Sequence, residues 1–191
     1  MPQRNQVVLV RHAETAWSKS GQHTSFTDIP LTENGRRAAR ELRPILAGWD
    51  FSLAVSSPLQ RARETAELAG ISEGLDLDPG LTEWNYGEYE GITTAEIRKT
   101  VPEWTVFSHP CPGGETGAEV ATRVDGVLER AREARGPVVL FAHGHVGRVV
   151  VCRWLGFEPS AGRHFVLSTG TITVLGWERE TPAILRMNTL S

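Results

Sequence analysis

The chain has 191 residues, 40% of them hydrophobic and 23% charged, with a formal net charge of −3; that size and balance support one full hydrophobic core and exclude wholesale disorder. A pI near 6.1 argues against non-specific nucleic-acid binding, which needs clustered, uncompensated Lys and Arg. Two cysteines, Cys111 and Cys152, are too few for a disulfide scaffold or a four-cysteine zinc site, so reduced thiols and, with no targeting or lipidation signal in view, a cytoplasmic protein are expected.

Met1 to Asn5 is polar, and the apolar run from Val7 to Val10 is too short for a signal peptide or a membrane span. That run is continuous and β-branched, which predicts a strand buried on both faces, as in a parallel sheet. It ends at Arg11-His12. A helix is predicted over about 35–47, where Ala38, Ala39, Leu42, Ile45 and Leu46 keep helical spacing and Gly48 supplies a stop. Leu53 to Val55 reads as a second strand, broken by Ser56-Ser57-Pro58, and a helix follows to about Leu68, with Pro58 in its first turn. Residues 71–92 read as loop, punctuated by Gly74, Gly80, Gly87 and Gly91. Short helices are predicted over 94–100 and 102–107, and an amphipathic helix from about Gly117 to Ala134. Pro137 to Ala142 is a third buried strand ending in histidine, Val146 to Leu155 a helix, and residues 164–188 hold two or three strands.

Alternating strands and helices predict one α/β domain over 1–191, a three-layer α/β/α fold with a mostly parallel sheet and a small cap inserted over roughly 81–117. In such sheets ligands bind beyond the carboxyl ends of the strands. Three strands end there in polar groups: Arg11-His12, Ser56-Ser57 and His143-Gly144. Arginine's planar fork suits bidentate phosphate oxygens, neutral histidine is a competent nucleophile toward phosphorus, and a carboxylic acid can protonate a leaving alkoxide and then activate water. Such a set needs no metal, because the arginines absorb the charge that Mg²⁺ neutralises elsewhere.

The motifs Arg11-His12-Ala13-Glu14-Thr15, Ser57-Pro58-Leu59-Gln60-Arg61-Ala62-Arg63-Glu64-Thr65, Glu83 with Tyr86-Gly87, and His143-Gly144 resemble, in order and over nearly the whole chain, those of the histidine phosphatase superfamily, which includes the cofactor-dependent phosphoglycerate mutases. The stretches Trp17 to Thr24 and Asp28 to Thr32 are similar to the phosphatase branch, with its sedoheptulose-1,7-bisphosphatase-like enzymes and actinobacterial acid phosphatases. The resemblance implies a phosphoglycerate mutase-like fold and a metal-independent phosphatase with no cofactor, acting on phosphomonoesters of small metabolites, sugar phosphates among them. It casts His12 as the nucleophile that becomes phosphohistidine, Arg11, Arg61 and His143 as holders of the phosphoryl oxygens, and Glu83 as proton donor and then base. Ser18, Gln22, Thr24, Tyr86 and Gly144 stand at substrate-binding positions. Dimers are frequent among such relatives, and the late strands offer an edge for a homodimer.

Two positions depart from the family pattern. Ala13 stands where a glycine is usual and is strained only if its φ is positive; Ser18 stands where mutases carry an asparagine. The arginines beside His12 are expected to lower its pKa, while Glu83 must be protonated in the substrate complex, which together predict a rate maximum below neutral pH. The insert carries Arg98 and Lys99 as the strong cations of its first part, a poor means of retaining a bisphosphate, so a phosphatase is favoured over a mutase. A non-catalytic phospho-ligand binder, suggested by Ala13, is the third reading. His145 next to His143 is not expected to chelate a metal with it. His23, His109 and His164 read as surface or packing histidines, Arg63 as a solvated helix residue, Cys152 as buried and inert, and Trp17 and Trp84 as pocket walls. Phosphate-loop, dinucleotide and zinc-protease motifs are absent from the sequence.

Overall fold

The computed structural model describes residues 5–190, so of the polar leader Met1 to Asn5 only Asn5 lies among the described residues. Six strands form one sheet: β1 (Val7–Arg11), β2 (Leu53–Ser56), β3 (Leu75–Leu77), β4 (Val138–Ala142), β5 (Ile172–Glu178) and β6 (Thr181–Thr189). Their spatial order is β3-β2-β4-β1-β5-β6. The first four are mutually parallel, β5 runs antiparallel to β1, and β6 antiparallel to β5. The mostly parallel α/β sheet expected from the sequence is therefore present.

Among the described residues the α-helices are α1 (Ala16–Ser20), α2 (Glu33–Glu41), α3 (Arg43–Leu46), α4 (Gln60–Leu68), α5 (Thr94–Ile97), α6 (Gly117–Glu133) and α7 (Gly144–Leu155). The period-2 alternation of β1 explains the layering. Val7 and Leu9 pack with Val124, Leu128, Val146 and Val150 of α6 and α7, while Val8 and Val10 pack with Leu42, Leu46, Ala62 and Ala66 on the opposite side. Each such fully buried aliphatic side chain is worth ~1.5–3 kcal/mol, which is why β1 and β4 have no polar residue between their ends.

Several boundaries differ from those expected, each for a local reason. The helix predicted over 35–47 is divided into α2 and α3. Pro44, at the start of α3, has no N–H to continue the ladder. Thr32 caps α2 by accepting a hydrogen bond from the Gly35 N–H at 3.0 Å. Pro58 precedes α4 rather than entering it, and the Gln60 N–H is instead taken by Asp28 Oδ1 at 2.7 Å. The predicted loop over 71–92 contains β3, an edge strand too short to show a period, and single turns of 3₁₀ helix at Pro79–Leu81 and Gly87–Tyr89. No helix forms over 102–107: Glu103 has φ 62°, which a right-handed helix cannot contain. The helix expected over 94–100 is the four-residue α5, with a capping box between Thr93 and Glu96.

Gly35 is the tightest helix–loop contact near the carboxyl ends of the strands. A Cβ there would sit 2.2 Å from the Glu14 carbonyl oxygen and 3.0 Å from its nitrogen. Gly35→Ala is therefore expected to destabilise the fold by about 1–3 kcal/mol through overpacking, a fall of several degrees in the thermal midpoint that calorimetry would detect; an unchanged midpoint would mean the Glu14 backbone yields freely.

Candidate active site

Parallel pairing of β1 with β4 places Arg11 opposite Ala142, and one further backbone bond, from the His12 N–H to the Ala142 carbonyl at 2.9 Å, brings His12 and His143 to one edge. Their ring centroids are 5.1 Å apart. The Nδ1–H of His12 donates to the Ala13 carbonyl at 2.7 Å, so its Nε2 carries the lone pair. Burial, then the charges of Arg61 and Arg11, push its pKa well below the usual histidine range. The ring is neutral, as a nucleophile must be. Ala13 is not among the residues with positive φ, and its N–H donates to Thr65 Oγ1 at 3.0 Å. Alanine is unstrained there.

A cavity of about 200 Å³ opens at this edge, lined by Arg11, His12, Ser18, Gln22, His23, Thr24, Glu83, Tyr86, Thr94, Gly144, His145 and Arg148, with Gly21. Eight of the ten expected site residues are thus brought together. Arg61 and His143, both expected to hold the phosphoryl oxygens, are buried and do not line the cavity. Arg61, fully buried on α4, donates from Nε to His143 Nδ1 at 3.1 Å, from one terminal nitrogen to Thr27 O at 3.3 Å, and from the other to Thr24 O and Ser25 O at 3.1 Å. Four of a guanidinium's five donors are thereby committed. His143, accepting at Nδ1, carries its proton on Nε2 and donates to Ser57 Oγ at 2.8 Å. These two residues stand behind His12 and fix its surroundings.

Arg11 does reach the cavity. Its terminal nitrogen donates to the Leu167 carbonyl, and its buried Nε has no protein partner. A Cβ on Gly144 would lie 3.2 Å from the Arg11 Cζ, so a larger residue there would push the guanidinium aside by a few tenths of an ångström. Glu83 is held from the other side. Its carboxylate accepts from the N–H of Trp84 at 2.9 Å and, at the start of α7, from Val146 at 2.8 Å and His145 at 3.0 Å. Burial raises its pKa, but the His145 ring and the three N–H groups outweigh burial and bring it to about 2. The His145 ring is itself lowered to about 3 by burial, so near neutral pH it is uncharged and the N–H groups carry the effect. Glu83 is an anion in the free protein, so the protonation expected of it in the substrate complex has to arrive with the substrate.

Ser18, Gln22 and Thr24 line the cavity while holding their own loop. Ser18 Oγ accepts from the Thr15 N–H at 2.8 Å and donates to the Thr15 carbonyl at 3.0 Å. Gln22 Nε2 donates to Gly91 O at 2.9 Å, and Thr24 Oγ1 to Gln22 O at 3.1 Å. The Tyr86 hydroxyl bonds His145 Nδ1 at 2.6 Å.

Besides Gly21, four lining residues were not expected. His23, read as a surface or packing histidine, is buried with its ring 4.6 Å from Tyr86 and its Nε2 3.2 Å from Thr94 Oγ1. His145 and Thr94 join it. Arg148 lies one helical turn beyond Gly144, an i, i+4 relation visible in the sequence once α7 starts at the strand end; its buried Nε has no partner, and its Cζ is 6.0 Å from the Phe107 ring. Arg63 is half-buried with an unpartnered Nε rather than solvated. Trp17 and Trp84 do not line this cavity; Trp84 borders a second one, about 680 Å³, between residues 106–110, α6 and residues 158–160. Cys152 is buried, with its thiol pushed up to about 11 by burial.

The sequence profile of the histidine phosphatase superfamily (branch 1) matches residues 7–190. The chain belongs to that superfamily. It is 39% identical to an acid phosphatase of Mycobacterium tuberculosis over 179 residues, 91% of this chain and 87% of the relative. It is 32% identical to the sedoheptulose 1,7-bisphosphatase of Saccharomyces cerevisiae, over 78% of this chain and 67% of that protein. A solved structure from M. tuberculosis, of an open reading frame characterised functionally, superposes with a TM-score of 0.91 at 35% identity, covering 96% of this chain and 97% of the other. The fold is the one these histidine phosphatases share. Among the described residues no helix is long and apolar enough to cross a membrane.

The buried histidines make the fold of this phosphatase acid-sensitive. His12, His23, His143 and His145 all have folded-state pKa values below the usual ~6.5. The unfolded chain therefore takes up protons first, so their contribution is complete above pH ~6.5 and is lost as pH falls below it. Glu83, lowered to about 2, adds a second loss below pH ~4.5. The thermal midpoint is expected to drop between pH 7 and 5 and again toward pH 3; a midpoint flat from 7 to 5 would contradict the neutral, desolvated assignment of these rings.

Proposed function

We propose that the cavity hydrolyses phosphomonoesters of small metabolites, sugar phosphates among them, through a phosphohistidine on His12. The observation that carries this reading is the neutral His12 ring, whose Nδ1–H is tied to the Ala13 carbonyl so that Nε2 is free in a cavity shared with Arg11 and Glu83. Nε2 attacks phosphorus as the ester P–O bond breaks, and the leaving oxygen takes a proton from the Glu83 carboxyl. Water then attacks the phosphohistidine, giving a proton to the Glu83 carboxylate as the P–N bond breaks; that proton leaves with the product as monoanionic phosphate, returning His12 neutral and Glu83 ionised. Arg11, with its unpartnered buried Nε, is the principal phosphoryl clamp, and Arg61 and His143 act by holding the frame around His12. The insert over 81–117 serves as the cap, bringing Glu83, Tyr86 and Thr94 to the cavity. The unstrained Ala13 removes the motive for a non-catalytic reading. A requirement for a bisphosphate primer would mark a mutase instead.

The proton count sets the pH dependence. With His12 neutral and Glu83 ionised in the free enzyme, the proton needed by the leaving group arrives on the substrate as its monoanion, whose second ionisation lies near pH ~6. Binding next to the phosphoryl charge then favours its transfer to Glu83. For an alkyl phosphate, kcat/KM is expected to be flat on the acid side, then to fall about tenfold per pH unit above ~6. Glu83→Gln should lower that kcat/KM by about 10²–10⁴, and lower it less for p-nitrophenyl phosphate, whose leaving group needs little protonation. His12→Ala should abolish turnover, and a chelator should not. Activity retained by folded His12→Ala would end the proposal.

Arg148 gives the substrate a second feature. Its unpartnered Nε at the cavity wall suits a further polar or anionic group on the same metabolite. Arg148→Gln is expected to raise KM about tenfold for a substrate bearing a second anion, since a hydrogen bond to a charged group is worth ~1.5–3 kcal/mol, and to raise it less for p-nitrophenyl phosphate. Equal effects on both would assign Arg148 to the phosphoryl group itself.

A further inference from the structure

We infer that Asn188, on an outer strand and away from the cavity wall, is a positioning residue for Arg11 and His12; the inference rests on the proposed role of those two residues. The pairing of β5 with β6 slips between Ile172↔Thr189 and Val174↔Arg186, a bulge that contains Asn188. Asn188 has φ 55°, the left-handed conformation that asparagine tolerates better than most residues. Bulges of this kind re-aim a side chain. Here the redirected Oδ1 accepts from the Ser168 N–H at 2.6 Å and lies 3.0 Å from Thr171 Oγ1, whose single hydroxyl hydrogen it shares with the Ser168 carbonyl at 2.8 Å, while the Asn188 N–H donates to Thr173 Oγ1 at 3.2 Å.

The segment so pinned, 167–171, grips the end of β1 from three directions. The Leu167 carbonyl accepts from the Arg11 guanidinium. The Gly170 N–H donates to the carbonyls of Arg11 and His12, each at 3.1 Å, and the Thr171 carbonyl accepts from the Arg11 N–H at 3.2 Å. Both the backbone that presents His12 and the side chain that clamps phosphate are therefore referenced to a segment held by the burial of Leu167 and, at Ser168 and Thr171, by the Asn188 amide oxygen. Displacing reacting groups by about 1 Å costs about a hundredfold in rate, so a remote anchor of this kind is felt in turnover.

Two substitutions separate anchoring from backbone conformation. Asn188→Gly keeps the left-handed backbone without steric strain but deletes the acceptor; Asn188→Asp keeps an acceptor oxygen. Each is measured at pH 6 for kcat and KM with p-nitrophenyl phosphate, for affinity toward inorganic phosphate by titration calorimetry, and for thermal midpoint. The glycine variant is expected to lose about tenfold in kcat and severalfold in phosphate affinity while staying folded, and the aspartate variant to recover most of both. Thr171→Val, which removes one of the two donors to Oδ1, should move the same quantities in the same direction by less. In an Arg11→Ala background the loss of phosphate affinity caused by Asn188→Gly should largely vanish, because partners acting in one network are non-additive. Wild-type kcat and phosphate affinity in folded Asn188→Gly, or losses that aspartate does not reverse, would overturn the inference. A wild-type protein that binds phosphate but turns nothing over would overturn the proposed function alone, leaving phosphate affinity to judge Asn188.

Discussion

The constraint on which the structure turns is the burial of the Arg61 guanidinium. A charge removed from water is tolerated only when its donors are met, and Arg61 meets them with the carbonyls of Thr24, Ser25 and Thr27 and with His143 Nδ1. Three consequences follow from that one solution. The loop after α1 is pulled onto α4, so Gln22, His23 and Thr24 reach the cavity. His143 is locked in the tautomer that donates to Ser57 Oγ. A fixed positive charge also lies close enough to His12 to help keep its ring unprotonated. Fold and reactivity share a single buried cation.

Glu83 shows the complementary logic. A carboxylate in a dry site should be hard to ionise, yet it sits at the start of α7, where orphan N–H groups and the helix dipole favour negative charge. The same α7 N-terminus thus stabilises the anion that accepts a proton from water and raises the cost of protonating it before the alcohol leaves. In the proposed mechanism the tension is resolved because Glu83 gains a proton only when a phosphate monoanion brings one. Acidic working conditions then reflect the substrate's ionisation more than any group on the enzyme, while the buried histidines limit how acidic the medium can become.

The strands that build the site were legible because β1 and β4 are buried on both faces and so appear as unbroken aliphatic runs ending in charge. Arg11, His12 and His143 are read directly from those ends, and Glu83 and Arg61 from their motifs. What could not be read depends on through-space accounting. β3 is three residues at a sheet edge and shows no period. Glu103 adopts a left-handed φ that no residue type announces, and Pro44 divides a helix whose apolar spacing continues across it. Arg61 looked like a ligand-holding cation because its type and register say so; its withdrawal from the cavity wall emerges only when each of its donors is assigned a partner. His23 arrives from a loop whose path is set by Arg61, so nothing near it in the chain marks it. Arg148 was within reach, since a helix beginning at Gly144 puts its fifth residue on the face of its first.

The metric relation between His12 and Glu83 reduces to two adjacent strands. β1 presents Arg11 and His12; β4 runs into α7, which supplies Gly144, the N–H groups that hold Glu83, and Arg148. A single parallel register, Arg11 opposite Ala142, closed by the His12 N–H to Ala142 carbonyl bond, relates the two sets. Because a slip of one residue reverses every side chain on a strand, and both faces of β1 are packed, that register has no neighbouring alternative. The β4 side is rigid through the helix it initiates. The β1 side has no helix at its end and depends instead on the 167–171 segment, whose bonds to Arg11 and His12 take the place that α7 fills for Glu83. The two halves of the site are therefore stabilised by different means, and the loop-held half is the one whose geometry distant residues can tune.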